Sequence, residues 1–272
     1  MLLVTACYTF TSLSDKYAIA ESRLSGNLFT FLMCASMSVC LALSLPFQKI
    51  DFQCSWQTFL GIGLVALCKF LEFQMSALVL KELSAFELKA WMGVTLFVSY
   101  CTDVCYGAPL RMIEFMCIAV TAVGLALVVR SRQGRKIQYR KILLPLILYL
   151  ASKYGYGLVI KAFTPYASSA MLLLPAFVLL TIVLLPMVKA SQLRDKRSGV
   201  CKVVLARVPN TVGMLAENAV ISVSLTSYSF IQPMVLVSLF FIRLVRKERC
   251  SVPNLIGSIL CIIGLLAFQS VG

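Results

Sequence analysis

The chain contains no histidine. Ser-His-Asp triads, imidazole-ligated metals and imidazole proton relays are therefore excluded. Charge is scarce as well. Asp, Glu, Lys and Arg make up 13% of the 272 residues, about half the share of a soluble domain. Disorder requires low hydrophobicity, and a 60% hydrophobic content with a mean hydropathy of +0.91 rules it out. No Cys-x-x-Cys pair occurs among the 11 cysteines, which stand at 7, 34, 40, 54, 68, 101, 105, 117, 201, 250 and 261. An odd, scattered set inside apolar runs makes neither a disulfide framework nor a zinc site, so these cysteines pack as small hydrophobes. No Gly-rich phosphate loop with its Lys and Ser/Thr is present, so direct drive by ATP is not expected. Neither a cofactor nor a metal is expected.

What the chain does have is long apolar runs. A helix crossing a bilayer needs about 20 mostly apolar residues. Ten segments meet or approach that length: 1–19, 26–47, 56–80, 83–106, 110–130, 142–163, 166–188, 208–227, 229–245 and 252–270. Barrel strands are too short to account for them, so the expected fold is all-α, a polytopic membrane protein with ten transmembrane helices. The first segment lacks the positive start of a signal peptide, and Asp15-Lys16 occupies the place of a cleavage site, so it reads as a retained helix.

The net charge of +14 is unevenly spread. Arg130, Arg132, Arg135, Lys136, Arg140 and Lys141 follow the fifth segment. Lys189, Arg194, Lys196, Arg197, Lys202 and Arg207 follow the seventh, and Arg243, Arg246, Lys247 and Arg249 the ninth. These connections lie on one side and hold sixteen of the 25 basic residues, which places them in the cytoplasm and both termini outside. The partner of this basicity is the anionic lipid headgroup rather than nucleic acid.

The two halves look related. Ser14-Asp15-Lys16-Tyr17 aligns with Ser152-Lys153-Tyr154 at an offset of 137. Gly107-Ala108-Pro109-Leu110 aligns with Lys247-Glu248-Arg249-Cys250 at 140, and at that offset Gly124 meets Gly264. Five helices per repeat is odd, so the second copy enters from the opposite side and forms a 5+5 inverted repeat. The expected organisation is a first five-helix repeat at 1–130, a basic linker at 131–141 and a second repeat at 142–272.

Ionisable residues inside apolar helices carry the functional signal, because each costs roughly 2.5–3.5 kcal/mol near the bilayer centre on insertion scales. Lys69 and Glu72 share a face of the third segment at i, i+3 and are placed to pair. Lys153 lies mid-way along the sixth, and Glu217 with Asn218 mid-way along the eighth; both charges need cross-helix partners or water. Asp15-Lys16 and Asp103 lie nearer helix ends, within snorkelling reach. Tyr149, Tyr154 and Tyr156 surround Lys153, while Gly155 and Gly157 open room for another backbone. Trp91, Thr95 and Gln232-Pro233 add polar and aromatic groups. Pro145, Pro165, Pro175, Pro186 and Pro233 kink or end helices in the second half. An aromatic-walled cavity suits an organic solute better than a bare ion. The candidate path for substrate or coupling ion is thus Lys16, Lys69, Glu72, Trp91, Lys153, Tyr154, Glu217, Asn218 and Gln232, with no catalytic, cofactor or metal residues among them.

In order, these motifs resemble the EamA-like branch of the drug/metabolite transporter superfamily, over essentially the whole chain. Lys247-Glu248-Arg249-Cys250-Ser251, then Leu255-Ile256-Gly257 and Gly264, match the family's closing turn and helix. The first half keeps Gly107, Leu110 and Gly124 but has Ala108 in place of the Glu. Lys16 and Lys153 match lysines of the family's first and sixth helices, and Ser227 to Pro233 matches the proline of its ninth. The resemblance implies both termini in the cytoplasm, opposite to the charge distribution. It also implies a secondary transporter moving a small organic metabolite by alternating access, in the plasma membrane, as a monomer or homodimer. The alternatives are a membrane-embedded lipid-modifying enzyme, which needs a carboxylate or metal cluster at the interface, and a non-transporting scaffold.

Overall fold

A computed structural model describes residues 1–17, 19, 25–48, 50–83, 85–130, 139–188, 197–245 and 252–271. Most of the linker 131–141, the segment 189–196 and the stretch Lys247 to Ser251 lie outside these residues. Eleven α-helices run through the described chain: α1 Leu2–Lys16, α2 Gly26–Ser44, α3 Trp56–Glu82, α4 Ala85–Trp91, α5 Val94–Cys105, α6 Met112–Arg130, α7 Tyr139–Phe163, α8 Ser169–Leu184, α9 Arg197–Val223, α10 Leu225–Val245 and α11 Val252–Val271. No strand forms among the described residues; one isolated bridge joins Phe52 to Ala167. The chain is a helical membrane protein. Among the described residues, six helices are long and apolar enough to cross a bilayer, α2, α3, α7, α8, α9 and α10, while α6 and α11 have shorter apolar stretches.

Three features depart from the sequence-based expectation. The segment 83–106 is not one helix. Its hydrogen bonding tightens where Thr95 N–H donates to Met92 O (3.0 Å) and Leu96 N–H to Gly93 O (3.1 Å), which separates α4 from α5. Gly93 and the β-branched Val94 and Thr95 are weak helix formers, and the Thr95 hydroxyl also donates to Met92 O (2.7 Å). Second, α9 ends at Val223 and α10 starts at Leu225, ahead of the expected break near 228. Ser224 caps α10 by accepting the Ser227 N–H at 3.0 Å. Third, α9 begins at Arg197, so Lys202 and Arg207 belong to a helix and not to the basic connection. Arg207 lies ten residues in, about 15 Å from the helix start.

Pro145, Pro175 and Pro233 sit inside helices, and so does Pro209. Pro186 instead lies in a 3-10 turn, Leu185–Met187, that closes α8; Pro46 in the turn Leu45–Phe47 closes α2 the same way. Those two turns are 140 residues apart. Pro165 lies between α7 and α8, where Ser168 N–H donates to Asp51 O (2.8 Å) and Gln53 N–H to Tyr166 O (3.0 Å).

Helix pairs cross closely at glycines. A Cβ on Gly61 of α3 would lie 2.9 Å from the Phe163 ring, and one on Gly213 of α9 would lie 2.9 Å from Cys7 Cβ. Gly157 admits the Tyr228 ring, not a backbone, and Gly155 has only ordinary contact with Cys68. The α6–α11 crossing is reciprocal. A Cβ on Gly124 would fall 2.6 Å from Gly257 O and 2.9 Å from Cys261, and a Cβ on Gly264 2.2 Å from Thr121 Oγ1 and 2.9 Å from Cys117 O. Each contact recurs with both residue numbers moved by 140. Cys261 Sγ meets its counterpart Thr121 directly, at 3.7 Å from the carbonyl oxygen. The ten described cysteines are all free.

Candidate functional site

Charged side chains converge mid-bundle because antiparallel helix pairs bring their centres together. Lys153 of α7 is the hub. Its Nζ lies 3.1 Å from Glu217 Oε1 on α9 and 3.5 Å from Glu72 Oε1 on α3. Glu72 also accepts from Lys69 at 2.8 Å, the expected i, i+3 pair. Glu217, at 0% exposure, takes the Tyr8 hydroxyl at 2.5 Å, so one helix from each side closes on it. Ammonium groups buried this deeply are also held by aromatic faces: Lys69 Nζ stands 3.6 Å from the Tyr156 ring centre, and Lys153 lies within 5.5–5.7 Å of Tyr8, Tyr156 and Tyr228. The Tyr228 hydroxyl donates to Lys153 O at 2.9 Å, the contact for which Gly157 leaves room.

Beside this network lies a cavity of about 90 Å³. It reaches from Tyr8 and Lys153 along α1 as far as Asp15 and along α3 to Leu80, toward the bundle end opposite Met1. Lys69, Glu72, Lys153 and Gln232 from the sequence-derived set line it. Glu217 and Asn218 do not. They stand behind it, Glu217 bound to Lys153 and Asn218 accepting the Tyr156 hydroxyl at 2.6 Å. Lys16 points elsewhere and donates to Leu80 O (2.5 Å) and Leu83 O (2.9 Å), which caps the end of α3. Tyr154 bonds to Thr102 of α5 instead of the cavity, and Trp91 packs part-buried against the core at the end of α4.

Three charged residues outside the sequence-derived set bear on the site or the bundle around it. Arg207, counted among the cytoplasmic basics, is fully buried in the cavity wall and paired to Asp15. Asp15 is thereby held in an ion pair and does not snorkel. Lys89 of α4 lines the cavity too and donates to Gln232 Oε1 at 2.8 Å. The third, Asp103, lies at the Met1 end of the bundle. It accepts from Lys161 (2.7 Å), Ser224 Oγ (2.9 Å), Thr226 N–H (2.7 Å) and Thr226 Oγ1 (2.9 Å). With Ser99–Ser229 (2.5 Å) and Thr102–Tyr154, this forms a polar layer between α5, α7 and α10. Beyond it, a hollow of about 590 Å³ is bordered by Asp103, Arg111, Glu114 and Ser227. Among the described residues, no group of three or more Cys, Asp and Glu is placed to hold a metal ion.

No protein-family model matches this chain, and no curated protein matches it in sequence. Its fold has counterparts among 25 chains of solved structures. One crystal structure aligns over 99% of this chain and 99% of its own, with a TM-score of 0.61 and 13% sequence identity. At that identity the likeness shows the fold alone.

Proposed function

We propose that this chain is a secondary transporter, not an enzyme, and that it moves a small organic metabolite across the plasma membrane by alternating access between two inverted five-helix halves. The observation that carries this reading is the Lys153 hub. One buried ammonium joins Glu72 of the first half to Glu217 of the second, beside a polar cavity, and the far side is closed by a separate polar layer. A purely structural ion network would not need a cavity on one side and a hollow on the other.

The ten-span, 5+5 reading draws support from several recurrences. The offset of 140 relates the α6–α11 glycine contacts in both directions, and it also relates the Pro46 and Pro186 turns. Reciprocal contact under one fixed shift is what a two-fold relation between halves produces. In this scheme α4 and α5 together make one broken span, the discontinuous kind that frames substrate sites in inverted-repeat transporters. The EamA-like resemblance fits the same scheme.

The sense of insertion follows from the basic connections. Residues 131–141 and 189–196 are expected on the cytoplasmic side; Arg197, Lys202 and Arg207 belong to α9, and leaving them out of the count does not change its direction. Cysteine labelling of both segments from outside intact cells would reverse the orientation and match the family resemblance instead.

The functional test is uptake into liposomes holding the purified protein, against panels of amino acids, sugars and nucleotides under an imposed pH gradient. Saturable uptake of at least one class above empty liposomes is expected. Glu217→Gln, which keeps shape but cannot change charge, is expected to insert normally and to impair uptake or alter its pH dependence. Unaltered uptake per folded molecule would make Glu217 a packing residue.

A further inference from the structure

Buried polar groups in proteins nearly always have partners, so orphaned ones that line a cavity describe what is meant to fill it. The cavity wall holds two such groups, and both are donors. Arg207 is fully buried; its Nε donates to Val203 O at 3.1 Å and its Nη2 is taken by Asp15, but Nη1 has no partner. Gln232 is 1% exposed; its Oε1 accepts from Lys89, and its Nε2 has no partner. Beside them, the Lys89 ammonium brings three donors, of which Gln232 takes one, and among the described residues no carboxylate comes within ion-pair distance.

The charges agree with the donors. Among the described residues, Lys69, Lys89, Lys153 and Arg207 line the cavity against Asp15 and Glu72 alone, with Glu217 immediately behind. Each carboxylate already holds a cation: Asp15 holds Arg207, while Glu72 and Glu217 hold Lys153 and Lys69. Lys89 is the positive charge left over. A surplus cation with unspent donors selects for an anion rich in acceptor oxygens. The volume of about 90 Å³ is well below that of a drug-sized pocket, so the solute is small.

We propose, resting on the transporter reading, that the cavity binds a small organic anion through its carboxylate, with Lys89, Gln232 Nε2 and Arg207 Nη1 as the donors. Lys89 supplies the charge, and the two orphaned donors supply direction. A water molecule satisfies a donor but leaves the extra charge unbalanced, which is why the geometry favours an anion over solvent alone. The apolar part of the wall, Met33, Phe73, Leu88 and Met214, receives the remainder of the solute.

The test is thermal stability of the purified protein in detergent with lactate, pyruvate, glutamate and succinate, against the matching neutral amides, ethanolamine and inorganic phosphate. At least one carboxylate is expected to raise the melting temperature saturably, with amides and amine inert. Lys89→Gln should weaken that response at least tenfold while the melting temperature without solute stays near wild type, and Lys89→Arg should restore most of it. A response of equal size to the amides or to ethanolamine overturns the proposal, as does an undiminished response in Lys89→Gln or no response to any carboxylate. Phosphate acting alone overturns the carboxylate assignment. The assay reads binding and not movement, so its outcome separates from that of the transporter reading. A carboxylate that binds but never enters liposomes leaves the site standing and defeats transport. Saturable uptake confined to neutral or cationic solutes does the reverse.

Discussion

Lys153→Met is expected to cost about 3–5 kcal/mol of stability, because it strands a buried carboxylate. Glu72 keeps Lys69 at 2.8 Å, but among the described residues Glu217 has no other cation within ion-pair distance and keeps the Tyr8 hydroxyl. Methionine fills the volume of the lysine stem, so the loss reads charge and not packing. The double variant Lys153→Met with Glu217→Gln removes both charges and should recover most of the stability, since replacing both partners of a buried pair is close to neutral. Melting temperature and the fraction eluting as a monodisperse peak report it. A Lys153→Met protein as stable as wild type, or a double variant no better than the single one, would mean that the hub is not the ion pair described.

Gly264→Val should be comparably damaging at the other end of the molecule's logic, where two helices touch. The first added carbon already lies 2.2 Å from Thr121 Oγ1 and 2.9 Å from the Cys117 carbonyl oxygen. Side chains can turn aside but a helix backbone cannot, so α6 and α11 must separate along their shared face. Overpacking typically costs about 1–3 kcal/mol, and a backbone clash belongs at the top of that range or above. Gly124→Val should match it, since its own Cβ would sit 2.6 Å from Gly257 O. Gly63 is the control. Nothing lies within 4 Å of a Cβ there, so Gly63→Ala should be neutral or gain about 0.5–1 kcal/mol from helix propensity. If Gly264→Val and Gly124→Val were tolerated as well as Gly63→Ala, the close crossing would be wrong.

The helical class and the central charges were legible from the pattern of apolar and charged residues, for one physical reason. Apolar runs of bilayer length and ionisable residues within them are both expensive to misplace, so both show in the sequence. Lys69, Glu72, Lys153 and Glu217 stand out because their neighbours are hydrocarbon, and their need for partners follows from charge. Arg207 and Lys89 were hidden for the opposite reason. Each lies among other charged residues, Arg207 after a basic stretch and Lys89 two residues from Glu87, where a solvated role looks ordinary. Only the three-dimensional crossing of α1 with α9 puts Asp15 against Arg207. The split between α4 and α5 was hidden because Gly93 alone is tolerated in many helices, and hydropathy does not change across it. Lys16 and Lys153 look alike in sequence but do different work, one capping α3 and the other joining Glu72 to Glu217.

Alternating access, as proposed, requires that the central cavity and the Met1-end hollow open in turn. Reciprocal accessibility of single cysteines at Ser76, in the cavity wall, and at Ser227, at the hollow, measures it directly. In a background with the other cysteines replaced, a membrane-impermeant thiol reagent is applied from each side of the membrane, with and without a transported solute. Opposite responses are expected: conditions that protect Ser76→Cys expose Ser227→Cys, and Asp103→Asn, which weakens the polar layer, moves both toward the state open at the Met1 end. Two accessibilities that stay fixed whatever solute is present, or that rise and fall together, would contradict it.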